Sequence, residues 1–364
     1  MSVSRTLIIL WISLCFIRTT YGETKTENVV LITTDGLRWQ ELFMGADRDL
    51  MNKEHGNVDD VESLHKTYWR ENSASRREVL MPFFWKHVPE NGQVFGNLEK
   101  GSPSRVTNGK FFSYPGYNEL LTGISDPRID SNDKVANPNL NVLEWLNQFP
   151  EFRNKVAAFC SWDVFPYILN APRSGIYTHA GWSIIQDTPL TDQQFLLNRL
   201  TEELPRQWPA SQFDALTYYT ALEHIKRHQP RVLFIAFDET DNWAHDGRYD
   251  RYLEAAHRVD HYLEHLWSLL QSIPQYRGKT SFVITTDHGR GTAPVKWRSH
   301  GSTIEGAEYF WVAITGPDTP PWGERTNTPE ITQAQVAATL ADLLERDFLS
   351  VSKSAAPPID THSR

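Results

Sequence analysis

The chain has 364 residues, a formal net charge of −9, 40% hydrophobic residues and 12% aromatic residues. This composition excludes general disorder, and the length suits one large α/β catalytic domain with a modest extra lobe. The charge, about −11 once Arg5 and Arg18 are set aside with a leader, excludes a general basic footprint for long nucleic acid or an anionic membrane.

In chain order, residues 1–22 read as a signal peptide. Arg5 lies in a short basic region, an apolar run covers 7–17, and Thr20-Tyr21-Gly22 forms a small-residue cleavage site. The run is shorter than the about 20 residues that a spanning helix needs, so the expectation is a secreted or periplasmic protein without a stable membrane anchor. The alternative is an uncleaved anchor or a buried first strand. Cys15 leaves with the leader, and Cys160 alone cannot form an internal disulfide. It sits in an apolar stretch, 155–160, that reads as a strand and as a buried, inert thiol.

The domain is expected over residues 23–349. Its first strand is Asn28-Val-Val-Leu-Ile-Thr-Thr-Asp35, followed by a helix over 39–51 and a polar surface excursion over 52–77. A strand near 92–98 and a loop over 99–108 lead to Ser113. Residues 123–139, rich in Asp, Asn and Pro, read as loop. Residues 162–209 are the candidate cap, with a helix opened by Thr191 and Asp192. Helical periodicity is clear over 213–226 and 249–270, where Tyr252, Ala255, Ala256, Val259, Tyr262, Leu263 and Leu266 share a face. Apolar strands at 231–238 and 282–286 alternate with these helices and predict a doubly wound, mainly parallel sheet sandwiched by helices. A late strand is expected over 308–315, a last helix over 333–345, and a disordered tail over 350–364.

Three of the apolar runs end in a carboxylate: Asp35, Asp238 and Asp287, the last followed by His288. Open α/β sheets place ligands at the carboxyl ends of their strands. Carboxylates crowded there cannot all stay ionised alone, so the site asks for cations. Asp241 and His245, four apart, share a face if a helical turn follows Phe237. His300 stands before Gly301, which permits close backbone approach. Ser113 lies just before Pro115-Gly116, which fit a tight turn, and before a helix over 117–122 that would aim backbone N–H groups at an anion. The competing role for Ser113 is helix capping. Arg38, Lys110 and Arg290 are the basic residues nearest these motifs, each with a solvated surface role as the default. Tyr167, Trp182 and Tyr117 could stack on a substrate ring or simply pack.

Taken in order, Asp35, Ser113, Asp241, His245, Asp287, His288 and His300 resemble the alkaline phosphatase superfamily, particularly its nucleotide pyrophosphatase/phosphodiesterase branch. The resemblance spans residues 28–317. It implies one metal held by Asp35, Ser113, Asp287 and His288, and a second held by Asp241, His245 and His300. Both are commonly zinc in the family, and mixed carboxylate and imidazole donors suit zinc or manganese. The implied reaction on a small phosphate ester is attack by Ser113, a phosphoserine intermediate, then hydrolysis. The diesterase branch usually has threonine as nucleophile and an asparagine three positions later. Here those positions are Ser113 and Gly116, with Asn118 the candidate replacement as oxyanion contact. A phosphomonoesterase or sulfatase of the same superfamily is the alternative, although Tyr117 stands where the sulfatase signature has arginine. A metal-dependent phosphoglycerate mutase is disfavoured by the leader and by lack of room for its inserted domain, and a silent binding protein by the seven competent ligand positions.

Overall fold

The computed structural model describes residues 25–363, so the leader read from residues 1–22 lies outside the described residues. The strands, in chain order, are β1 (Asn28–Thr34), β2 (Gly92–Phe95), β3 (Ser104–Arg105), β4 (Val156–Cys160), β5 (Tyr177–Ala180), β6 (Val232–Phe237), β7 (Thr280–Thr285), β8 (Val312–Thr315), β9 (Gly323–Glu324) and β10 (Ile331–Thr332). Eight of them form one sheet in the order β5-β4-β6-β1-β7-β8-β2-β9, and β3 pairs with β10 separately. In the large sheet only β8 runs against its neighbours. The sheet is therefore mainly parallel, with helices on both faces, as the alternation of apolar strands and amphipathic helices predicts.

Side-chain alternation divides the core between the two faces. Val30 and Ile32 of β1, Leu233 and Ile235 of β6 and Phe282 and Ile284 of β7 pack on one side. Val29 and Leu31, Val232 and Phe234, and Val283 pack on the other. A strand covered on both faces has no polar side to show, which is why these strands read as unbroken apolar runs. The Tyr249–Ser272 helix buries all seven residues of its expected apolar face, and all but Ala255 join the core on the first side. The Ser113–Thr122 and Gln335–Asp342 helices lie on the second.

Several local expectations are corrected. The helix expected over 39–51 stops at Met44, where Gly45 takes a left-handed φ of 73° and closes it. The surface excursion at 52–77 holds the Val61–Tyr68 helix and the start of the Ser73–Leu80 helix, with Val58, Leu64 and Tyr68 in the core. Their caps, Asp60 and Asn72, were the missed signals, since each side chain accepts a helix N–H. Within 162–209, Tyr177–Ala180 is an edge strand of the main sheet rather than part of a separate lobe. The helix expected there runs Asp192–Glu203 and opens on a capping box between Thr191 and Gln194. It packs through Leu197 on Ile185 and Leu216 in a small core of its own. The tail at 350–364 is packed, not disordered: Ala355 and Ile359 are buried, and the carbonyl of Thr361 accepts from Gln93. Its Ser and Pro content masked these two apolar anchors.

Candidate metal centre

The carboxyl ends of β1, β6 and β7 lie side by side, because β1 pairs with both β6 and β7 in parallel register. Asp35, Asp238 and Asp287 are the residues that leave those ends. Asp35, Asp287 and His288 have no exposed surface.

One oxygen of each buried carboxylate is taken by a protein donor. Tyr117 donates its phenol hydrogen to Asp35 Oδ2 (3.1 Å), and the Gly36 N–H donates to Asp287 Oδ1 (3.1 Å). The other oxygens, Asp35 Oδ1 and Asp287 Oδ2, are buried and make no hydrogen bond of ordinary geometry. Each lies 3.4 Å from His288 Nε2, and Ser113 Oγ lies 3.4 Å from the same nitrogen. His288 Nδ1 faces the Gly289 carbonyl at 2.9 Å; with the proton placed there, Nε2 is left as the donor atom turned to the cluster. Burial is the largest cause that raises the pKa of Asp35 and Asp287, and neighbouring carboxylates add to it. Burial opposes charge on His288, but Asp287 and Asp35 outweigh it and raise its pKa to about 9. Two unpartnered carboxylate oxygens, an imidazole nitrogen and a hydroxyl converging in a water-poor site are a donor set that fits a divalent metal.

A second cluster stands beside the first. The Glu239–His245 helix follows β6 directly, and its pitch puts Asp241 and His245 on one face, with His245 Nε2 3.2 Å from Asp241 Oδ2. His300 comes from the loop after β7; its Nε2 lies 2.9 Å from His245 Nε2 and 3.6 Å from Asp241 Oδ1. Its Nδ1 faces the Phe111 carbonyl at 3.2 Å, which turns Nε2 inward. The rings of His288 and His300 stack at 4.1 Å, so the clusters adjoin. Asp241, His288 and His300 also form a set close enough to share an ion, as do Asp35, Asp287 and His288.

The helix that carries Asp241 and His245 is held at its start by a reciprocal contact. Asp214 accepts from the N–H groups of Asp238 and Glu239 (2.8 and 3.1 Å), while Glu239 accepts from the N–H of Asp214 at 2.9 Å. Each carboxylate thus caps the other's helix, a pairing invisible in sequence because the partners are 25 residues apart. Thr240 and Gln333 fix backbone at the site, donating to the carbonyls of Asp35 (2.5 Å) and Asp287 (2.6 Å). Asp238 itself accepts from Asn242 at 2.5 Å.

Ser113 opens the Ser113–Thr122 helix; the cap position is Phe112, so the capping role for Ser113 is corrected. Pro115 and Gly116 belong to the first turn of that helix rather than to a preceding turn. A Cβ on Gly116 would lie 2.5 Å from the Asp287 carbonyl oxygen, so no side chain fits there. The oxyanion role for Asn118 is also corrected. Its Nδ2 donates to the Ile124 carbonyl (3.0 Å) and its Oδ1 accepts from Asn137 and Asn139 (3.0 Å each), which commits both polar atoms to the loop below the helix. Tyr117 is fully buried against Phe165, and Trp182 is bound through Nε1 to the Trp208 carbonyl. Tyr167 is exposed. Arg38 and Arg290 are buried instead of solvated: Arg38 pairs with Glu41, and Arg290 pairs with Asp241. Burial opposes ionisation of Asp241, but Arg290 and then His245 outweigh it and hold the carboxyl well below its usual range. Arg290 was legible only as the residue two places beyond His288.

Residues 212–347 match the Metalloenzyme superfamily. No curated protein matches the sequence. Among solved structures, the chain is similar to wild-type alkaline phosphatase PafA, at 12% identity over 92% of this chain and 98% of that one, with a TM-score of 0.57. It is similar to a putative sulfatase from Bacteroides thetaiotaomicron, at 12% identity over 93% of this chain and 73% of that one, with a TM-score of 0.55. It is also similar to the phosphonate monoester hydrolase SpPMH from Silicibacter pomeroyi, at 13% identity over 92% of this chain and 76% of that one, with a TM-score of 0.51. At these identities the likeness is one of fold, and the fold is the alkaline-phosphatase-like one expected. The matched segment holds Asp241, His245, Asp287, His288 and His300. Fold and match together bear out the resemblance to the alkaline phosphatase superfamily.

Proposed function

We propose that the chain is an exported, metal-dependent hydrolase of small phosphoric esters, acting on phosphodiester or nucleotide pyrophosphate bonds through a phosphoserine intermediate. One observation carries the reading: Asp35 Oδ1, Asp287 Oδ2 and Ser113 Oγ all face the same imidazole nitrogen, and the two carboxylate oxygens have no other partner. Asp35, Ser113, Asp287 and His288 would hold one divalent metal and Asp241, His245 and His300 the other, with zinc the metal and manganese the alternative. Bound there, the metals supply Lewis-acid charge for phosphoryl oxygens and lower the pKa of coordinated hydroxyls. Ser113 Oγ attacks phosphorus and gives up its proton, the leaving oxygen departs and takes up a proton, and water then frees the rest of the substrate from the serine as a phosphate monoester. Tyr117 and Gly36 orient the carboxylates, and the start of the Ser113–Thr122 helix favours negative charge near the nucleophile.

Recognition of the leaving group falls to the segment before the Asp214–His228 helix. Trp208 supports this, since its Nε1 donates to Asp246 beside His245 at 3.1 Å and its ring meets Trp243 at 4.7 Å. A second reading, a monoesterase or sulfatase, is favoured by Gly116, where the diesterase branch's asparagine has no room. Among the described residues no helix is long and apolar enough to cross a membrane.

The test is metal analysis of the purified protein beside hydrolysis of bis-p-nitrophenyl phosphate, p-nitrophenyl phosphate and p-nitrophenyl sulfate, with and without chelator. About two zinc or manganese ions per chain and chelator-sensitive diester cleavage are expected. Preference for the monoester or the sulfate moves the assignment to the second reading, and absence of both metal and turnover overturns it.

A further inference from the structure

The two clusters differ in what neutralises them. Asp35 and Asp287 bring two carboxylates, and no arginine or lysine is paired with either among the described residues. Asp241 brings one, and Arg290 is already paired with it through Nη1. The guanidinium is fully buried and held in place, since its Nε donates to the Trp297 carbonyl (2.9 Å) and its Nη2 to the Arg298 carbonyl (2.6 Å). Those carbonyls belong to the loop that ends in His300, so Arg290 ties Asp241 to the backbone of its partner ligand. Gly36 makes room for the pair. With φ of +57°, it would carry a Cβ 2.8 Å from Arg290 Nη1 and 2.9 Å from Asp241 Oδ1. The glycine that follows Asp35 thus serves the other cluster.

Resting on the metal reading above, we infer that Arg290 is a positioning residue that makes the cluster of Asp241, His245 and His300 a weak cation site, filled together with an anionic phosphoryl group, while the cluster of Asp35 and Asp287 binds its cation unaided. The charges give the reason. A divalent ion among Asp35, Asp287 and neutral His288 leaves no net charge. The same ion among Asp241, Arg290 and two neutral imidazoles leaves a net charge of about +2, which a phosphate dianion cancels. Of Asp241's oxygens, Oδ1 is engaged by Arg290 and lies toward His300, and Oδ2 faces His245.

The test is equilibrium dialysis of the full chain with zinc, with and without inorganic phosphate, read by elemental analysis. One zinc should be retained tightly without phosphate, and phosphate should tighten the second by about tenfold or more. His245→Ala should lose the phosphate-dependent ion and keep the tight one. Arg290→Met should bind the second ion about tenfold more tightly without phosphate and respond less to it. Two ions of equal affinity that ignore phosphate overturn the inference and leave the metal reading standing, as does a phosphate-dependent ion that survives His245→Ala. No retained zinc under either condition overturns the metal reading itself. Should Arg290→Met fail to fold, the wild-type and His245→Ala measurements decide.

Discussion

The cluster around Asp35 and the cluster around Asp241 adjoin, yet they are built in opposite ways. The first is set on strand ends at the middle of the sheet, has no exposed surface at Asp35, Asp287 or His288, and leaves two carboxylate oxygens unpartnered. The second is set on a short helix and a loop, carries its own buried cation in Arg290, and exposes nearly half of the His245 side chain. A strand end cannot shift without dragging its neighbours, so the first cluster stores unfavourable charge in a rigid place. The second is balanced at rest and is positioned by caps and tethers.

The largest expected effect tests whether Ser113 belongs functionally to the first cluster. Ser113→Ala should lower hydrolysis by at least ~10³-fold while both metals stay bound. Unchanged turnover would remove Ser113 from the reaction. Next is Asp241→Asn in chelator-treated protein, which leaves a buried guanidinium without its carboxylate. Urea unfolding should show a loss of about 3 kcal/mol, and a loss near zero would mean that Arg290 finds other partners. Tyr117→Phe should weaken metal binding at the first cluster by about tenfold, since Asp35 loses the donor that orients it. Titration with zinc against a competing chelator measures this. The smallest effect has the opposite sign. Burial raises the pKa of Asp287, so its ionised form costs stability as pH rises through the folded pKa. Metal-free Asp287→Asn should therefore be more stable than the wild type at pH 8, by about 1 kcal/mol. If Asp287→Asn and Asp241→Asn shift stability in the same direction, the contrast between the clusters fails.

Legibility followed the same division. The strand ends were readable because two-face burial forces an apolar run, and an acid at the end of such a run is conspicuous. Asp241 and His245 were readable through helical spacing once Phe237 was taken as a strand end. The residues that hold the second cluster were not. Asp214 and Glu239 cap each other across 25 residues, and Arg290 looks like any surface arginine until its loop is folded. Asn118 misled because sequence distance from Ser113 gives no direction; on the helix it faces Asn137 and Asn139. The tail misled through composition, because two apolar anchors among polar residues suffice to seat it.

The placement of β1 has a consequence for biosynthesis. It sits in the middle of the sheet, with Val29 beside Val232 and Asn28 beside Thr280. This strand, the earliest among the described residues, must therefore wait for partners made about two hundred residues later, and such long-range pairing slows folding. A chain interrupted before β6 cannot complete the sheet around Asp35, and its apolar first strand would be left with both edges open to chaperones, proteases or other nascent chains.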